Sequence, residues 1–100
     1  SAVPTFKLAY QLAAEKDHLP EIIEIFKAFF RDLLLLKHGR PEAELVNLDM
    51  KEALYRQLER ETSSSLLQKL DALEAGRYYL KRNVNRQLAV EIMLMRMNAA

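Results

Sequence analysis

An all-α fold, a compact bundle of about five helices, is what this sequence predicts, and three observations lead there. The chain of 100 residues holds two glycines and three prolines, so places for turns are few, and half of it is hydrophobic. Without long β-branched runs, such a composition favours helices joined by short loops. Apolar residues recur at the three-and-four spacing of helix faces. Finally, Ile22 to His38, IIEIFKAFFRDLLLLKH, contains the run Leu33, Leu34, Leu35, Leu36, which at about 100° per residue points apolar side chains almost all the way round a helix. That helix must be covered on most sides, and the rest of the chain reads as its cover. Glu24, Lys27 and Arg31 make a narrow polar stripe along it, with Asp32 beside them. Those charges, and a length short of the roughly 20 apolar residues a crossing needs, exclude a membrane span.

The elements follow in order. Pro4 and Thr5 open a first helix running to about Lys16, with Phe6, Ala9, Tyr10 and Ala13 on one face. Asp17-His18-Leu19-Pro20 breaks it and starts the central helix, because proline is tolerated in a first helical turn. Gly39 ends the central helix as a left-handed cap, with Lys37 and His38 against the negative end of the helix dipole. Arg40 to Leu48 reads as a loop with a short turn of helix near Glu42 to Val46. Asp49-Met50-Lys51-Glu52 has the form of a capping box, so a third helix should follow, packing through Met50, Ala53, Leu54 and Leu58 and stopping near Glu61. One of Thr62, Ser63, Ser64 and Ser65 should cap a fourth helix from about Ser64 to Arg82. Leu66, Leu70, Leu73 and Leu80 form its stripe, and Gly76 falls within it. A glycine there costs about 1 kcal/mol against alanine, so another helix should approach closely at that point. In Asn83-Val84-Asn85, Asn83 suits a left-handed stop and Asn85 a cap for the last helix, Arg86 to Asn98. That helix carries Leu88, Ile92 and Met95 on one face and Val90, Met93, Leu94 and Met97 on others, more apolar surface than a terminal helix of an isolated domain needs.

Length and charge narrow the function. One domain of this size can hold a core without disulfides or metals, and with no Cys the chain has no disulfide or thiolate metal site. The net charge of +1 gives no strong field for nucleic acid or an anionic membrane. No signal-peptide pattern opens the chain, which is compatible with the cytoplasm and with one domain of a longer protein. His18 and His38 fall about 30 Å apart at opposite ends of the central helix, so they cannot share a metal. Glu42, Glu44, Glu59 and Glu61 read as solvated carboxylates, the serine run lacks a nucleophile elbow, and neither glycine belongs to a phosphate-binding loop. The residues therefore predict no catalytic, cofactor or metal site. One local feature remains: Arg77, Lys81, Arg82 and Arg86 occur with Tyr78 and Tyr79 and no acid between them. Such a stretch can bind a phosphate backbone or stack on bases. Because the rest of the chain is not basic, helix-end complementarity and tyrosine packing are the favoured reading.

Two segments carry a family resemblance. Arg31-Asp32-Leu33-Leu34-Leu35-Leu36-Lys37 with Gly39 and then Val46-Asn47, and the run Leu80, Asn83-Val84-Asn85, Gln87-Leu88-Ala89, Glu91 and Leu94, resemble the C-terminal domain of the bacterial DNA polymerase III delta prime subunit, of the clamp-loader family. The resemblance follows helix order along nearly the whole chain. Arg86 departs from it, since family members commonly have proline there; arginine still permits the helix start. The resemblance implies a clamp-loader collar-domain fold and a role in subunit assembly during DNA replication, with the C-terminal domains of the gamma/tau and delta subunits as partners. It places two AAA+ domains before this domain in the full subunit, a component of the DNA polymerase III holoenzyme. No nucleotide site or arginine finger maps onto this chain, so the domain alone is no enzyme, needs no cofactor, and meets DNA only through the assembled complex. Arg31, Asp32, Arg77, Arg82, Met93 and Met97 are the candidate subunit interface. The alternatives are the collar domain of the gamma/tau subunit, which has a related RDLLL-like segment, and a nucleic-acid-binding module using Arg77 to Arg86.

Overall fold

The computed structural model describes residues 18–82 and 85–98. In order they form α1 (Leu19–Lys37), two 3₁₀ turns (Glu42–Glu44 and Leu48–Met50), α2 (Lys51–Leu58), α3 (Ser63–Lys81) and α4 (Arg86–Asn98). The expected all-helical bundle is present, with no strand among the described residues. The first predicted helix, with Phe6, Ala9, Tyr10 and Ala13, lies outside them. α3 packs against both α1 and α4, and α2 packs on α1. Arg77, near the end of α3, meets Glu24, near the start of α1, while Ser63 at the start of α3 lies beside His38 at the end of α1. The two long helices are therefore antiparallel.

Their shared core explains why the leucine-rich helix is central. Leu19, Ile23, Phe30 and Leu33 of α1 join Leu66 and Leu73 of α3 and Val90, Met93 and Leu94 of α4, with Leu45 and Leu54 added from the intervening segment. Full burial of each such side chain contributes roughly 1.5–3 kcal/mol of transfer free energy, most of it cancelled by chain entropy. Gly39 ends α1 as expected, with φ of 74°. Its N–H donates to Leu36 O at 3.0 Å and the Arg40 N–H to Leu35 O at 3.0 Å, the paired bonds of a Schellman motif that satisfy two open carbonyls. Thr62 caps α3: its Oγ1 accepts from the Ser65 N–H at 3.0 Å, and Ser65 Oγ accepts from the Thr62 N–H at 2.8 Å. At α4, Asn85 Oδ1 accepts from the Leu88 N–H at 3.0 Å, as expected of Asn85. The predicted stop at Asn83 lies outside the described residues.

The expectations for α2 need correction. The capping box at Asp49 does not form: α2 begins at Lys51 after Met50, with no side-chain cap. Asp49 sits inside the 3₁₀ turn closed by the Met50 N–H on Asn47 O at 3.0 Å, not at the extended junction an N-cap requires. α2 also ends at Leu58, short of Glu61, and Met50 is 40% exposed, leaving Leu54 as its buried anchor. On α4 the inward face is Ala89, Val90, Met93 and Leu94, whereas Leu88 and Met95 point outward at 47% and 57% exposure.

Candidate functional site

Asp32 is one residue that sequence reasoning misplaced. Its neighbours one turn away on α1 are Ala28, Phe29, Leu35 and Leu36, so its carboxylate leaves the polar stripe and enters an apolar side of the helix. There it is 1% exposed. Oδ1 accepts from the Val46 N–H at 3.0 Å, and Oδ2 accepts from the Asn47 N–H at 2.8 Å and from Asn47 Nδ2 at 2.9 Å. A buried carboxylate is tolerable only with such donors. The two halves of the first motif, RDLLLLK and Val46-Asn47, are thus one physical unit. The signal for it was an acid with no basic residue one turn away, on a helix that must be covered.

Glu61, expected in solvent, is also buried. Its carboxylate accepts from Gln57 Nε2 at 2.6 Å and Ser65 Oγ at 2.6 Å and pairs with Lys69. Burial pushes the carboxyl pKa up, but the hydrogen bonds from Lys69, Ser65 and Gln57 outweigh it and hold the group below the usual glutamate range. The Lys69 ammonium also lies 5.7 Å from the Phe30 ring centroid, linking this corner back to α1.

The polar stripe of α1 faces α3. Lys27 pairs with Glu74, whose hydrogen bond raises the lysine above its ordinary pKa. Glu24 accepts from Lys27 at 3.5 Å and from Arg77 Nη1 at 3.0 Å. Arg77 is therefore engaged within the domain. Arg82 lies over Tyr78, 3.8 Å from its ring centroid, Tyr78 and Tyr79 meet edge to face at 5.6 Å, and Arg96 approaches Tyr79 at 6.0 Å. The basic stretch is thus partly neutralised by Glu24 and partly stacked on its own tyrosines. Arg31 is exposed. Met93 is buried at 3%, pressed against Gly76, where an added Cβ would meet Met93 Sδ at 2.6 Å and Cβ at 3.1 Å. The close approach expected at that glycine is this contact. Met97 is half-buried against the core. Of the six candidate residues, Asp32 and Met93 are inside the domain, and Arg31, Arg77, Arg82 and Met97 reach its surface.

Sequence reasoning had grouped Leu88 and Met95, but gave them no site. Seven residues apart, they stand two turns from each other on one side of α4, both exposed, with the half-buried Ile92 between them. An open depression lies elsewhere, lined by Glu42, Lys51, Glu52, Tyr55, Arg56 and Glu59; Glu42 there accepts from Tyr55 Oη at 2.6 Å and pairs with Lys51 at 3.3 Å. Glu42, Lys51 and Tyr55 thus satisfy one another. Among the described residues no cluster of three or more His, Asp or Glu can hold a metal ion, and no helix is long and apolar enough to cross a membrane.

Residues 3–99 match the family described as DNA polymerase III, delta subunit, C terminal. The chain belongs to that family. It is the C-terminal domain of a clamp-loader subunit, a non-catalytic part of DNA polymerase III. No curated protein and no solved structure matches it.

Proposed function

We propose that this domain is the collar domain of a delta prime subunit, packing against the C-terminal domains of the gamma/tau and delta subunits in the cytoplasm and so supporting sliding-clamp loading onto primed DNA. The observation that carries the reading is the family match across residues 3–99. The Asn83-Val84-Asn85 ending beside the RDLLLLK segment favours delta prime over gamma/tau. The outward apolar ridge of Leu88 and Met95 supplies buried area of the kind at the centre of a subunit interface. Arg31, Arg77, Arg82 and Met97 form its surroundings, where charges orient partners more than they bind them. Asp32 and Met93 act from within, holding the loop and α4 in position. DNA is reached only through the assembled complex.

Co-purification of this chain with the C-terminal domains of the gamma/tau and delta subunits, at two salt concentrations and beside labelled primed DNA, tests the reading. Salt-resistant association with no DNA binding is expected. DNA binding that falls steeply with salt, without subunit association, would instead assign the function to Lys81, Arg82 and Arg86.

A further inference from the structure

The segment from Arg40 to Glu61 crosses α1 as a strap, and it is attached differently from everything else described. Only Leu45, Leu54 and Glu61 within it are buried. Its helix, α2, has eight residues and no side-chain cap, far too short to be stable alone. Of the eleven residues of the shared apolar core, α1, α3 and α4 supply nine and the strap only Leu45 and Leu54. The strap is held at a few points: Leu54 is fully buried, and the Asp32 carboxylate grips Val46 and Asn47 with three hydrogen bonds. Its two ends sit at fixed joints. Gly39, in the left-handed conformation with nothing within 4 Å of a built Cβ, reverses the chain at one end. Glu61, bound to Ser65 and Lys69 of α3, anchors the other.

We propose that residues 40–61 are a detachable strap: a single cooperative unit, jointed at Gly39 and Glu61 and latched by Asp32, that opens away from α1 while α1, α3 and α4 stay folded. Regions with few buried apolar contacts and exposed backbone open at lower free energy than the core, and here the sparse region is bounded by two joints. Opening uncovers the side of α1 that carries Asp32. It also frees Val46, Leu48 and Met50, exposed at 71%, 49% and 40%, from their fixed positions beside α1.

Native-state hydrogen exchange on the whole chain, read by peptide mass spectrometry, tests this. In the wild type the amides of Leu45 and of α2 should exchange together and faster than those of α3 and α4. Asp32→Ala should accelerate strap exchange by about ten- to a hundredfold, the loss expected when partly buried donors go unpaired, while α3 and α4 keep their rates. Asn47→Ala, which removes one donor of the three, should give a smaller acceleration confined to the same amides. Strap amides that exchange at the α3 and α4 rate in the wild type would overturn the proposal, as would an Asp32→Ala effect spread equally over all helices. Should Asp32→Ala fail to fold, the wild-type pattern and Asn47→Ala still decide.

Discussion

An added Cβ at position 76 would lie 2.6 Å from Met93 Sδ, 3.0 Å from Cγ and 3.1 Å from Cβ, so the missing methyl group sets the distance between α3 and α4. The thioether can swing aside, but Met93 Cβ moves only with its helix. Two effects oppose each other in Gly76→Ala. Helix propensity favours alanine by about 1 kcal/mol, and overpacking costs about 1–3 kcal/mol. The contact at Cβ makes overpacking the larger, and a net loss of up to about 2 kcal/mol is expected in urea unfolding. With Met93→Ala in the background the Sδ and Cγ contacts are gone while the Cβ contact stays, so the cost of the same substitution should shrink, a coupling that a propensity effect alone would not give. Glu61 makes a pH-dependent prediction. Its folded pKa is lowered, so it binds fewer protons folded than unfolded, and its stabilisation is present above the ordinary glutamate value of about 4.3. That contribution falls away as pH drops through the folded pKa. Thermal stability measured from pH 7 down to pH 3 should therefore decline less steeply in Glu61→Gln than in the wild type.

Among the elements, α3 depends on its capping box, and Thr62→Ala should lower stability by about 1 kcal/mol, measurable as a shift in denaturant midpoint at unchanged slope. The cap was legible in the sequence because hydroxyl side chains before an apolar periodic run have few other roles. So were the termination of α1 at Gly39, the close approach at Gly76 and the span of α4 from Arg86 to Asn98, each dictated by residues within a turn or two. The corrections share a cause. Asp49 looked like a cap because the local pattern fits one, but the Asn47 to Met50 turn absorbed it. Asp32 and Glu61 looked solvated because their partners are Val46 and Asn47 on a distant loop and Lys69 two turns into the next helix. Local periodicity carries no information about such partners. The direction α4 faces was open for the same reason: with apolar residues on every side, only Gly76 on a separate helix selects Met93 and Val90 inward. The outward ridge of Leu88 and Met95 is what that selection leaves over.

At the scale of the whole molecule, the domain satisfies part of its own charge and still presents apolar surface. Lys27 and Arg77 are paired with Glu74 and Glu24, and Arg82 and Arg96 are stacked over tyrosines. A phosphate backbone would have to compete with these contacts, whereas a partner's apolar side chains would only have to cover Leu88 and Met95. Charge reversal of Lys81 and Arg82 should therefore change subunit association by less than about 1 kcal/mol, as expected at the edge of an interface. Binding isotherms at low and high salt check this. The most direct test of the assembly reading is the dissociation constant for the gamma/tau C-terminal domain, measured by calorimetry with the wild-type chain and with Leu88→Glu and Met95→Glu. Both positions are exposed, so melting temperatures should stay near wild type while affinity falls by about tenfold or more, the loss expected when a charge enters a desolvated apolar contact. Unchanged affinity in both variants, or no binding by the wild type to either the gamma/tau or the delta domain, would contradict it.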